Sequence, residues 1–486
     1  MENDHKELTE KEEPLVPPAV HGHHGDDDAR YTTLFLNKKP STLTSVIVIG
    51  FIFILVGMSQ GYLNSLILEL QEKGATYSDQ AMFSLTLYPY LFKIVFAPFI
   101  DSYFLTSVGK CKTYIVGSCV VQAFCFGLLA PNAETFITPQ RIPTLVLIWV
   151  LINCVVVFLQ ISGEMWIIKI FEDGDHKSRG SLLLEVGMPI GMFISYNIFV
   201  PLNSAGWITH SGMLYFMMLS VLIYGAWILV YVAEKSIETE DPKNRPSLTT
   251  LIKVIPKFFI HERMRKFLLF VAATRVLRFM FSETILLAYI NNGMPKTAIV
   301  NIDTLTFPVL VLSSFVVARY MKQGTLAFYY VGLIVYGQIL TLMNYFILTD
   351  LKNNHSQGRA KVFLFILYFF DKLVIPTTFL VGYMNTVTPE EIGSTFITFL
   401  MCWFNICLNI PNSLGLKLVH TVPGMFDVLV LGAITAQIGL CISLIGFSKS
   451  IDKLTKDDYN ILKEEQPPAA ASENVDLKEL EPVERK

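Results

Sequence analysis

Residues 43–68 read LTSVIVIGFIFILVGMSQGYLNSLIL, twenty-six positions without a charged side chain. Crossing about 30 Å of hydrocarbon takes roughly 20 mainly apolar residues in a helix, so this stretch is long enough to span a bilayer. Its apolar character is continuous instead of alternating in ten-residue segments, which selects a helix over a barrel strand. Comparable stretches recur at 80–104, 114–130, 143–170, 180–201, 212–233, 266–290, 297–320, 326–349, 362–386, 393–418 and 427–448. The pattern predicts an all-α membrane protein with about 12 transmembrane helices.

Composition agrees with that pattern. Hydrophobic residues make up 52% of the 486 and charged residues 16%, with a mean hydropathy of +0.48. An ordinary soluble domain carries about a quarter charged residues, so that class is excluded. The net charge of −3 is unevenly placed. Residues 1–42 hold nine acids against five Lys/Arg and residues 449–486 ten against seven, which leaves the body, 43–448, with 26 basic and 22 acidic residues. Two acidic tails thus flank a slightly basic membrane body. Both tails read as disordered cytosolic segments, and His21, His23 and His24 beside Asp26–Asp28 read as part of a solvated tail instead of a metal site. No metal, cofactor or nucleic-acid partner is expected; the expected partners are membrane lipid and a small anionic substrate.

With both termini in the cytosol, nineteen Lys/Arg flank the inner ends of the spans against six on the outer side, the asymmetry that sets orientation. One N-x-S/T sequence occurs, at Asn354, in a predicted outer loop, and is the candidate glycosylation site. The seven cysteines fall in helices or an inner loop, which argues for small packing residues and against a disulfide framework. The first apolar run is long enough to act as a signal anchor, so no cleaved leader is expected.

The longest inner connection, 234–265, divides the body into a six-helix bundle at 43–233 and another at 266–448. Its segment 249–262 is expected to lie at the interface. Gly180-Ser181 and Gly393-Ser394 open the fifth and eleventh spans alike, a weak echo between the halves. Two related halves suit alternating access, with the cargo site near the midplane between them.

Charges inside such a body are costly and mark the places to look for function. Lys93 and Arg275 lie near the middle of the second and seventh spans and could meet an anionic cargo. Pairing them with Glu164, Glu185 or Glu283 as structural ion pairs is the open alternative. Gln160 and Glu164 are four apart and share a helix face, followed by Trp166. Asp371 and Lys372 are neighbours pointing about 100° apart, so at least one needs a partner elsewhere. Asn405 and Asn409 repeat an amide along the eleventh span, where such residues glue helices or line cavities. Lys169, Arg278 and Asp303 are expected near helix ends, reaching toward water. Asp101, Gly109, Lys110 and Lys112 join the second and third spans in a pattern similar to the gating loop of major facilitator transporters.

The stretch Tyr77-Ser78-Asp79-Gln80-Ala81-Met82-Phe83-Ser84, running through Tyr88-Pro89 and Lys93 to Ala97-Pro98-Phe99-Ile100-Asp101, resembles the acetyl-coenzyme A transporter family, a branch of the major facilitator superfamily. Ile392-Gly393-Ser394-Thr395-Phe396 with Asn405, Asn409 and Pro411 resembles that family's eleventh-helix signature, and Gly293-Met294-Pro295-Lys296 its loop after the seventh helix. The chain departs from the pattern in the fourth helix, where Leu159-Gln160, Glu164 and Met165-Trp166 stand at positions that usually carry two aspartates and a glycine-aromatic pair. The resemblance implies a carrier of acetyl-coenzyme A in the endoplasmic reticulum membrane. A proton-coupled carrier for peptides, muropeptide-like saccharides or another organic anion is the alternative, and a non-transporting sensor or scaffold is the reading from another class. An enzyme is not expected: His210, His261, His355 and His420 lie at helix ends or in loops, away from any buried site for a catalytic base.

Overall fold

The computed structural model describes residues 31–32, 42–105, 107–170, 186–232, 234–235, 256–320, 325–354, 356–373, 379–380, 383–384, 387, 393–422 and 424–459. Nine unbroken or nearly unbroken spans come directly from apolar runs. Span 1 is Thr42–Glu72, span 3 Lys110–Leu129, span 4 Ile142–Ile170, span 6 His210–Tyr231, span 8 Lys296–Tyr320, span 9 Leu326–Asn354, span 10 Gln357–Leu373, span 11 Gly393–Thr421 and span 12 Phe426–Ile451. Three spans are irregular. Span 2 runs Tyr77–Phe83, Ser84–Leu87 as a 3-10 turn, Tyr88–Leu91 and Lys93–Ser102. Span 5, Val186–Ser204, contains a π-helical turn at Phe193–Ile198. Span 7 is split into Glu262–Phe279 and Ser282–Asn291. Among the described residues the twelve spans alternate in direction, so that span 1 starts and span 12 ends at one face, called here the terminal face; the other is the far face. The Gly180-Ser181 pair, Glu185 and the segment 249–255 lie outside the described residues.

Close approach between spans comes from small residues, because lipid tails offer no apolar driving force for helices to associate. Gly57 and Gly61 in span 1 face Gly187 and Gly191 in span 5. A Cβ on Gly191 would stand 2.0 Å from the Ile54 carbonyl, and one on Gly57 would stand 2.1 Å from that of Met188. The two backbones are therefore in contact. At the split in span 7, a Cβ on Gly415 of span 11 would meet the Met280 carbonyl at 1.6 Å, so the broken turn is packed against span 11.

The two halves repeat one device at the terminal face. Glu234, after span 6, accepts from the Cys111 and Lys112 amides at 3.0 and 2.9 Å, capping span 3. Asp452, after span 12, accepts from the Ala327 and Phe328 amides at 2.8 and 2.9 Å, capping span 9. A carboxylate at a helix N-terminus satisfies orphan N–H groups and meets the positive end of the dipole. The pairs 3 with 6 and 9 with 12 correspond under a six-plus-six repeat.

Parts of both tails are ordered. Tyr31–Thr32 pairs antiparallel with Glu234–Lys235, Tyr31 opposite Lys235. Beyond span 12, Lys456–Tyr459 forms a 3-10 turn whose Tyr459 is fully buried, its hydroxyl 3.1 Å from that of Tyr383. Asp458 in this turn pairs with Arg263 of span 7, and the Thr455 backbone N–H and hydroxyl hold its carboxyl below the usual range. The packed body thus extends to 459, beyond the boundary at 448 read from charge, because an aromatic anchor follows the last apolar run.

Candidate functional site

Spans 1, 5, 7, 8, 9 and 10 enclose a cavity of about 550 Å³ where the two halves meet. Its walls hold the irregular turns of spans 5 and 7. The π-helical turn of span 5 presents Tyr196 and Asn197, the split of span 7 presents Arg278, Ser282 and Glu283, and span 8 carries Pro308 between the lining residues Phe307 and Leu310. Such interruptions are found at binding sites because they free backbone groups and re-aim side chains. Five charged side chains line the space: Arg278, Glu283, Asp303, Asp371 and Lys372. Lys372 pairs with Asp303 at 3.0 Å, and Asp303 also accepts from Asn197 Nδ2 at 3.0 Å, a bond between the halves. Arg278 has no carboxylate among the described residues within 4 Å, and its Nη1 makes no hydrogen bond. Its guanidinium packs on span 9 at Gly337, where any Cβ would stand 2.0 Å from Nη1.

The remaining candidates lie elsewhere. Lys93 Nζ donates to both Glu164 oxygens at 2.5 and 2.6 Å, and Gln160 Nε2 donates to Glu164 at 3.1 Å. This cluster joins spans 2 and 4 and abuts span 11, where the Ile94 amide donates to Cys402 Sγ at 3.3 Å. Trp166 is buried in the core of the N-terminal half. Arg275 is buried with its guanidinium carbon 3.3 Å from the Phe404 ring centroid and 4.7 Å from that of Phe279, a cation held by aromatic faces. Asn409 donates to the Asn405 carbonyl at 3.1 Å within span 11, and its own carbonyl accepts from Ser413.

In the loop between spans 2 and 3, Gly109 has φ +105 and a Cβ there would stand 2.5 Å from Glu234 Oε2, so both conformation and space require glycine. Lys110 opens span 3. Lys112 is buried and donates to the Val232 carbonyl at 2.7 Å, capping span 6 while Glu234 caps span 3. The side chain of Asp101 lies outside the described residues. Asn354 is exposed at the far end of span 9, with Nδ2 2.6 Å from Asp350.

At the far face the halves are bolted together. Lys296 of span 8 pairs with Glu69 and, at 2.7 Å, with Glu72, both of span 1. Gln71 donates to Asn291 at 2.6 Å, Asn291 to Tyr77 at 3.1 Å, and Lys417 to Ser78 at 3.1 Å, while the Ser84 and Ser413 hydroxyls meet at 2.5 Å. Sequence reading placed neither this seal nor Arg278 and Asp303 on the cavity. Asp303 carried a usable signal, since seven residues into span 8 is about 10 Å from its end.

The spans of the described residues, packed as two halves around a polar cavity, have the major facilitator fold. Solved structures show the same architecture. A mutant of the nucleoside transporter NupG matches with a TM-score of 0.56 at 13% identity, covering 83% of this chain and 98% of that one. The xylose transporter XylE from E. coli, inward open, matches with 0.56 at 12%, covering 86% and 98%. A mutant of the peptide transporter POT matches with 0.58 at 13%, covering 85% and 95%. Within that fold the N-terminal half is similar to the acetyl-coenzyme A transporters: the family model described as Acetyl-coenzyme A transporter 1 matches residues 45–216. An uncharacterized protein of Schizosaccharomyces pombe is 23% identical over 76% of this chain and 73% of its own length. An uncharacterized membrane protein of Saccharomyces cerevisiae is 24% identical over 40% of each chain.

Proposed function

We propose that this chain is a secondary carrier that moves acetyl-coenzyme A, or a related anionic coenzyme A or nucleotide compound, across the endoplasmic reticulum membrane by alternating access. The observation that carries the reading is Arg278, a cation on the wall of the inter-half cavity with no carboxylate among the described residues within ion-pair distance and an Nη1 without a hydrogen bond. Arg binds phosphate through paired charge-assisted hydrogen bonds, and a guanidinium not consumed by an internal ion pair is available for that work. The far-face bonds supply the moving part. Lys296 on Glu69 and Glu72 ties the halves together at that face, and cargo release there requires those bonds to part as the halves rock. The family match supports the cargo class, and the resemblance is the ground for proposing the endoplasmic reticulum.

Uptake of labelled acetyl-coenzyme A by proteoliposomes tests the reading. Uptake well above protein-free vesicles, competed by unlabelled coenzyme A, is expected. A rate equal to that of empty vesicles overturns the cargo. A second reading is a proton-coupled carrier for peptides, saccharides or another organic anion, and the acid surplus of the cavity, three carboxylates against two cations, favours the peptides and saccharides among these over an anion. Competition by those solutes but not by coenzyme A would establish it.

A further inference from the structure

Glu283 stands at the split of span 7, in the first turn of its second piece, and lines the cavity. Among the described residues no cation lies within 4 Å of it, whereas Asp303, on the same cavity, is paired with Lys372. The side chain facing it is the amide of Asn412 in span 11, whose Oδ1 is buried without a donor. Spans 1 and 9 contribute only neutral groups to this wall, and the other titratable groups on the cavity are Arg278, Asp303, Asp371 and Lys372, with the phenols of Tyr196 and Tyr368.

An isolated carboxylate in such a wall is costly, and taking up a proton removes the cost. Asn412 can serve both forms. Its NH₂ donates to the carboxylate, and after a half-turn of the amide its oxygen accepts from the carboxylic O–H, which satisfies the acceptor now left without a donor. Protonation also changes what the cavity welcomes. With all five groups charged the lining carries three negative charges and two positive; with Glu283 neutral they balance, and an anion meets less repulsion.

We infer that Glu283 is the proton site of the carrier, taking a proton from the side the cavity faces and releasing it on the other, so that anionic cargo and proton travel together. The inference rests on the carrier reading above. It is tested first on the purified full-length protein without cargo, by infrared difference spectroscopy across a pH titration. A component of the carboxylic C=O signal that persists to higher pH than that of the exposed carboxyls, lost in Glu283→Gln, displaced but present in Glu283→Asp and retained in Asp371→Asn, is the expected result. Survival of that component in Glu283→Gln, or its absence from the wild type, overturns it. The second measurement is acetyl-coenzyme A uptake with and without an inward proton gradient: several-fold stimulation is expected in the wild type and in Glu283→Asp, and none in Glu283→Gln. If the band behaves as expected but no acetyl-coenzyme A enters, the cargo is wrong and the proton site stands. If cargo enters and the stimulation survives Glu283→Gln, the proton site is wrong and the carrier stands.

Discussion

Two polar clusters sit inside this membrane body, and they differ in what their charges have already found. Lys93, Glu164 and Gln160 satisfy one another within the N-terminal half, the ammonium on both carboxylate oxygens. On the cavity wall, Arg278 and Glu283 have no ion-pair partner among the described residues, and the lining comes from both halves. A charge that is matched inside its own bundle holds that bundle in one shape. A charge left unmatched between bundles is available to a ligand, and its cost is offset only when something binds.

The largest effects are expected at the first cluster, where the charges hold the bundle together. Removing one partner of a buried pair leaves the other uncompensated and costs about 3–5 kcal/mol. Glu164 keeps 27% of its side chain exposed, which puts the expected loss near the low end, about 3 kcal/mol. Lys93→Ala and Glu164→Ala should each lower the thermal unfolding midpoint in detergent by many degrees, whereas Lys93→Met with Glu164→Leu should recover most of it. Single variants that unfold like the wild type and yet lose uptake would move this cluster into the cargo site.

Arg278 should behave in the opposite way. With no internal ion pair to break, Arg278→Gln is expected to leave the unfolding midpoint nearly unchanged. It should also lower acetyl-coenzyme A uptake about 10–100-fold, the worth of a charge-assisted contact of about 1.5–3 kcal/mol. Arg275→Gln, three residues away on the same span but stacked on Phe404, should show the reverse order of effects. Equal losses of stability and uptake in both would erase the distinction between the two clusters.

The fold was legible because bilayer thickness imposes a length on every apolar run, and the family resemblance was legible in Tyr77–Asp101. The site was half legible. Asp371 and Lys372 announced themselves as charges too deep for solvent, and both reached the cavity. Lys93 and Arg275 satisfied the same criterion and did not, because depth says nothing about which way a helix is turned. Arg275 and Arg278 are separated by less than one turn, and only the packing of span 7 on Phe404 and Gly337 decides which meets the cavity. The splitting of span 7 has no local signature of the kind that proline supplies in span 8, whereas Pro189 and Pro201 flank the π-helical turn of span 5. Gly57, Gly61, Gly187 and Gly191 did form readable small-x3-small pairs, a signal for the span 1 and span 5 crossing that hydropathy alone passes over.

Asp303 sharpens the comparison because it belongs to both categories, paired with Lys372 as in the first cluster yet lining the cavity. Its charge does two things of opposite consequence for an anionic cargo. It occupies Lys372 and adds to the negative lining, which weakens binding; it also accepts from Asn197, which ties the halves together. Asp303→Asn keeps an oxygen for Asn197 and gives up the charge. The expected result is a KM for acetyl-coenzyme A lowered about 3–10-fold, because a freed lysine contributes on the order of 1 kcal/mol to a partly exposed contact. A smaller fall in the maximal rate should accompany it, as the weakened bond between the halves changes how they rock. If Lys372 serves only to hold span 8 to span 10, the KM will not move and the unfolding midpoint will drop instead, placing this pair with Lys93 and Glu164.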